Sequence, residues 1–175
     1  MITEPERAYL AGFFDGEGCI SIIEDGSGNN TQSPKLALTI NVASCDKHIL
    51  DLWASKTGIG SVYIGTKARG NVRTGYQWCA SSNGAVELLW LIYPYLNIKK
   101  EQADVAFKFQ ETMGGHSGSL KNTRGGQRVP DDVIQQRYLY KDELTRLKGN
   151  TKYGRPRIHP SRRPALEMAA LLGGE

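Results

Sequence analysis

A single α+β domain is what this chain of 175 residues predicts, and three observations carry that expectation. A well-started helix opens the chain, two pairs of strands follow with a helix between them, and helices with one apolar face complete it. The length suits one domain with a sizeable core.

The opening helix has a clear start. Thr3 is placed to cap the amide of Glu6 with Glu6 reaching back, and Pro5 falls in the first turn, where its missing N–H does no harm. Gly18 is expected to close the helix in the left-handed conformation. Gly12 and Gly16 lie four residues apart on one face, and each costs about 1 kcal/mol relative to alanine inside a helix. Close approach by a second helix offsets such a loss. A membrane span is excluded, because Asp15 and Glu17 interrupt an apolar run far short of the ~20 residues needed.

Glu17 falls in the last turn, where the unpaired carbonyls of a helix repel a carboxylate by about 0.3–1 kcal/mol. A bound cation reverses that penalty; a solvated surface carboxylate beside a turn is the plainer reading. Asp15 lies two residues back, roughly 200° around the helix. It therefore points elsewhere and reads as a packing or hydrogen-bonding residue.

Next, Cys19–Asp25 reads as a strand, followed by the turn-forming run of residues 25–30. The strand at Lys35–Ala43 is the clearest. Leu36, Leu38, Ile40 and Val42 alternate with Lys35, Ala37, Thr39, Asn41 and Ala43, so one set faces a core and the other faces something wet. Asp46 is placed to cap a helix running to about Lys56 that buries Ile49, Leu50, Leu52 and Trp53. A second strand pair, Ser61–Lys67 and Thr74–Ala80, is joined by residues 68–73. Here alternation sends Val62, Ile64, Tyr76 and Trp78 to the core. Helices are expected at Gly84–Tyr93, Lys99–Thr112 and Asp131–Leu147, with a long mobile loop at 113–130.

The nine residues from Leu10 to Gly18 resemble, in register, the motif of the LAGLIDADG homing endonucleases, and a strand follows as that motif requires. The resemblance implies an αββαββα fold whose saddle-shaped antiparallel sheet, with helices on one face, lies on double-stranded DNA. Residues 1–148 would form the endonuclease domain and 149–175 a basic tail. The chain has one motif copy and no internal repeat, so two chains must supply the two acids in a homodimer with isologous symmetry. Leu10, Gly12, Phe13, Asp15 and Gly16 are expected at that interface.

Further implications of the resemblance concern the chemistry. Glu17, in place of the family's usual second aspartate, would bind Mg²⁺, with the Gly16 carbonyl as a further ligand; Mn²⁺ and Ca²⁺ suit the same hard oxygen donors. Lys99 would stand near the scissile phosphate, and Ser44, shorter than the glutamine often seen there, would position water. Lys47 or His48 would supply neighbouring positive charge; His48 reads equally as an exposed helix residue. The implied activity is site-specific cleavage of both strands of a long pseudo-palindromic duplex, leaving short 3′ overhangs, in the service of a mobile intron or intein-like element.

The wet faces of the strands carry groups suited to the major groove: Ser21, Lys35, Thr39 and Asn41 on the first pair, and Ser61, Tyr63, Lys67, Arg73 and Gln77 on the second, with Arg69 at the hairpin tip. The plainer reading is the solvated side of a one-faced sheet. The net charge of +4 is uneven. Residues 1–111 hold 10 Lys/Arg against 12 Asp/Glu, whereas residues 112–175 hold 12 against 6. From Arg146 to Arg163 there is no acidic residue, so Lys148, Lys152 and Arg155 are expected to meet the DNA backbone and to set affinity more than sequence choice. A solubilising tail is the alternative, and residues 165–172 suit a short docking helix.

Three cysteines without metal-type spacing, together with an N-terminus that enters a charged helix directly, predict a reducing intracellular setting with no signal peptide. Two competing functions remain at this stage. One is the same fold without cleavage, as an RNA splicing maturase or a transcription regulator; the other is an α/β dimer that uses its glycines for assembly alone.

Overall fold

The computed structural model describes residues 2–25, 35–117 and 129–149. The 25–30 turn lies largely outside them, as do residues 118–128 of the expected loop and the tail from residue 150 onward, including the docking helix at 165–172. The element order is α1 (Glu4–Glu17), β1 (Gly18–Asp25), β2 (Lys35–Ser44), α2 (Lys47–Thr57), β3 (Ser61–Thr66), β4 (Gly75–Ser81), α3 (Ser82–Ile92), a 3-10 turn (Tyr93–Tyr95), α4 (Lys100–Ser117) and α5 (Asp131–Leu147). The strands form one antiparallel sheet in the order β1-β2-β4-β3. This is the expected αββαββα sequence with two further helices.

One face of the sheet makes the core. Ile20 and Ile22 of β1, all four apolar residues of the β2 alternation, and Trp78 and Ala80 of β4 are buried against Leu10, Ala11 and Phe14 of α1, Trp53 of α2 and Leu88 and Leu89 of α3. Each residue of the β2 alternation takes the side its polarity dictates. Trp53 centres the packing, with its ring 5.3 Å from that of Trp78 and 6.1 Å from that of Phe14. Trp78 donates its indole N–H to the Ile59 carbonyl at 3.0 Å. An ion pair of 2.7 Å between Lys56 and Glu6 ties α2 to α1. No helix among the described residues is long and apolar enough to cross a membrane.

Four expectations are corrected. Gly18 is extended (φ −77, ψ 155) and already belongs to β1. Its glycine requirement is steric, because a Cβ there would meet the Phe14 carbonyl oxygen at 2.6 Å. Ile64 is 59% exposed, because it lies on the edge strand β3, most of which is exposed. Helix α3 starts two residues before Gly84, directly from β4. Helix α4 continues through residues 113–117, the start of the expected loop. There Arg137 of α5 donates to the Thr112 carbonyl at 2.7 Å and to its hydroxyl at 3.1 Å, while Met113 packs on the core. Burial lowers the pKa of the Arg137 guanidinium.

Candidate metal centre and nucleic-acid interface

The two acids of the opening motif part company at the end of α1. Asp15 turns inward, is only 8% exposed, and accepts the backbone N–H groups of Asn97 (2.8 Å), Ile98 (3.2 Å) and Lys99 (2.9 Å). Those amides belong to the segment that starts α4, so one carboxylate serves donors that otherwise have no partner at a helix N-terminus. The Lys99 ammonium returns to the Asp15 carbonyl. Lys99 is thereby fixed, half-buried, against the last turn of α1.

Glu17 faces outward. It is exposed, and the last turn of α1 holds no basic residue. Beside it opens a cavity of about 400 Å³ at the end of the sheet, where β2 and β3 finish and β4 begins; Ser44, Cys45, Thr66, Tyr76 and Gln77 line it. Ser44 Oγ accepts the Asp46 N–H at 3.0 Å, and Asp46 caps α2 by accepting the His48 N–H at 2.9 Å. Cys45 and Thr66 were missed by sequence reasoning. Tyr76, assigned to the core by alternation, does pack against it and also borders the cavity from its place beside Gly75 at a strand end.

Among the described residues no three His, Cys, Asp or Glu side chains gather as a metal cage. The donor chemistry still fits Mg²⁺, which is commonly held by one or two carboxylates together with substrate phosphates and water. Glu17 would be the ligand from this chain. Gly16 is exposed just before it. Lys47 and His48 are exposed but do not line the cavity. The Lys47 ammonium pairs with Asp51 at 2.6 Å one helical turn on, which compensates its charge.

The opposite face of the sheet collects most of the polar residues singled out from sequence. Cross-strand register places Ser21, Thr39 and Ser81 in one row, Cys19, Asn41, Cys79 and Ser61 in the next, and Ala43, Gln77 and Tyr63 in a third. Lys35 stands on the same face at the far end, opposite Asp25. Thr39 is only partly on show, since its hydroxyl oxygen is buried without a hydrogen-bond partner among the described residues. Burial also raises the pKa of the Cys79 thiol. Lys67, Arg69 and Arg73 are exposed on the β3–β4 connection. Its tip is pinned by reciprocal backbone bonds between Arg69 and Val72 around Gly70, whose φ of 57 suits the glycine that such hairpins require.

Lys148 reaches this face from the end of α5. Its ammonium donates to Ser21 Oγ at 2.9 Å and lies 3.4 Å from Cys19 Sγ. Lys152 and Arg155 lie outside the described residues.

The expected interface set divides in two. Leu10 (1% exposed) and Asp15 are buried inside this chain. Gly12 and Gly16 are exposed, with nothing within 4 Å of where a Cβ would stand, and Phe13 is half-exposed beside them.

Solved structures share this architecture. The homing endonuclease I-CvuI, in complex with the I-CreI target in the presence of Mg with the DNA not cleaved, is 19% identical over 82% of both chains, with a TM-score of 0.64. The archaeal intron-encoded homing endonuclease I-Vdi141I, complexed with DNA, is 16% identical over 82% of this chain and 84% of that one, also with a TM-score of 0.64. The LAGLIDADG homing endonuclease I-GzeII, in complex with its DNA target, is 15% identical over 84% of this chain but only 49% of that one, with a TM-score of 0.59. A search of curated proteins finds no match. The sequence profile of the LAGLIDADG endonucleases matches residues 10–98, which take in α1 from Leu10 onward, all four strands and the Glu17 cavity. On that match and this fold, the chain belongs to the LAGLIDADG endonuclease family.

Proposed function

We propose that two copies of this chain cut both strands of a long, pseudo-palindromic DNA duplex by divalent-metal-dependent hydrolysis. The observation that carries the reading is the placing of Glu17: an exposed carboxylate at a helix C-terminus, opening on a cavity at the end of a polar sheet face.

Each part of the chain has a task in this scheme. The face bearing Ser21, Asn41, Ser61 and Tyr63 offers donors and acceptors to base edges in the major groove. Lys35, Lys67, Arg69, Arg73 and Lys148 lie around it as partners for phosphates. Glu17 from each copy would hold Mg²⁺. When bound, the ion supplies charge for the attacking water and the leaving oxygen. Lys99 places an ammonium near the phosphate to be cut and offsets charge that develops there.

Assembly as a homodimer is supported by the open stripe of α1. Gly12 and Gly16 leave backbone bare for close approach, with Tyr9 (54% exposed) on the same helix and Ile98 (72% exposed) at its end. The match to half of the longer I-GzeII chain is in keeping with a unit that needs a second copy. Three free thiols suit a reducing intracellular compartment.

The test is selection from a randomised duplex library incubated with the protein and Mg²⁺. Enrichment of symmetric sites cut on both strands with 3′ overhangs is the expected result, and its loss in Glu17→Gln ties the cutting to this residue. A protein that enriches bound sequences but never cuts them is the binding module instead.

A further inference from the structure

Gln77 stands in the same cross-strand row as Glu17. Gly18 pairs with Val42, so Glu17, one residue earlier, falls beside Ala43, and Ala43 pairs with Gln77. Strands lie about 4.8 Å apart, which sets the two backbones roughly 10 Å apart with only the methyl of Ala43 between them. Both side chains line the same cavity.

The other polar groups of that cavity are less suited to the task. Ser44 is short and its oxygen accepts the Asp46 N–H; Thr66 is short, on the edge strand β3; Cys45 offers only a weakly hydrogen-bonding thiol; the Tyr76 ring packs on the core. Gln77 is not held. Its carboxamide has no hydrogen-bond partner among the described residues; its oxygen lies over Gly65 of β3, on the side of β4 away from Ala43, so nothing holds it there against rotation toward Glu17. A carboxamide both donates and accepts, so one group can accept a hydrogen bond from a water and donate one to a phosphate oxygen.

We infer that Gln77 is the water-positioning residue of this site, turning across Ala43 to hold the attacking water against the phosphate beside Glu17. The inference rests on the nuclease reading above. In the step it serves, the water oxygen forms the new P–O bond as the ester P–O bond breaks. One water proton passes to bulk solvent through the open cavity, and the leaving oxygen takes up a proton from solvent.

The test uses the full chain and a cleavable duplex recovered from the library selection. Gln77→Met, close in size, should lower the single-turnover rate at saturating protein by about tenfold or more. Affinity for the uncut duplex, compared on the Glu17→Gln background, should stay unchanged. Returning a carboxamide to the neighbouring strand end in Ser44→Gln/Gln77→Met should recover most of the rate. Gln77→Met cutting at the wild-type rate overturns the inference, as does a loss that appears only in affinity or in the selected sequence, since that is base contact. A wild-type protein that binds duplexes and never cuts them overturns the nuclease reading, and the role of Gln77 with it.

Discussion

Asp15 and Lys99 hold each other across 84 positions of the chain: the carboxylate accepts the Lys99 amide at 2.9 Å, and the Lys99 ammonium returns to the Asp15 carbonyl. This pair joins the end of α1 to the start of α4. It also fixes the Lys99 ammonium against the last turn of the helix that ends at Glu17.

Removing that carboxylate should be felt throughout the domain. Asp15→Ala leaves three amides without an acceptor and should cost about 2–4 kcal/mol, whereas Asp15→Asn keeps one acceptor and should cost about half as much. Denaturant unfolding of the two variants measures the difference. Equal stability of Asp15→Ala and wild type would remove the cap from the account.

The neighbouring acid should behave in the opposite way. Glu17 is exposed and unpaired among the described residues, at a helix end that disfavours negative charge. Glu17→Gln should therefore melt no lower than wild type in metal-free buffer. With duplex present, added Mg²⁺ should raise the melting temperature of wild type and leave that of the variant unmoved.

The open stripe of α1 lets folding and the proposed assembly be tested apart. Each isolated chain has room for a methyl at position 12 or 16, and alanine gains up to about 1 kcal/mol of helix propensity there. Gly12→Ala and Gly16→Ala should thus preserve or raise monomer stability while weakening self-association, as followed by sedimentation equilibrium. Unchanged association in both would place the seam elsewhere.

Low pH should loosen α1 from α2. Lys56 first, then Thr3, holds the Glu6 carboxyl down from the ordinary 4.5 to about 2. A carboxyl depressed by folding stabilises the native state above its unfolded pKa, and that contribution is lost as pH falls from 4.5 through about 2. Glu6→Gln keeps the capping geometry without the charge. Its melting temperature should lie below that of wild type near neutral pH, and the two curves should merge toward about pH 2.

Local chemistry made much of this architecture legible. The Thr3–Glu6 cap, with the Thr3 N–H donated to Glu6 at 2.8 Å, and the strict alternation of β2 are written in neighbouring residues, and both are present. On β3 the same period failed at Ile64, because alternation says which residues share a face but not whether anything covers that face at a sheet edge.

By itself, the sequence determined the order of elements, the polar face of the sheet and the separation of Asp15 from Glu17, since these follow from backbone periods of 2 and 3.6 residues and from the end effects of helices. Only the tertiary structure decided what surrounds each acid. The three amides that bind Asp15 lie 82 to 84 positions away, and the cavity beside Glu17 is assembled from the ends of α1, β2 and β3 and the start of β4. No local rule reaches that far, because such contacts depend on how the strands register and how the helices pack upon them.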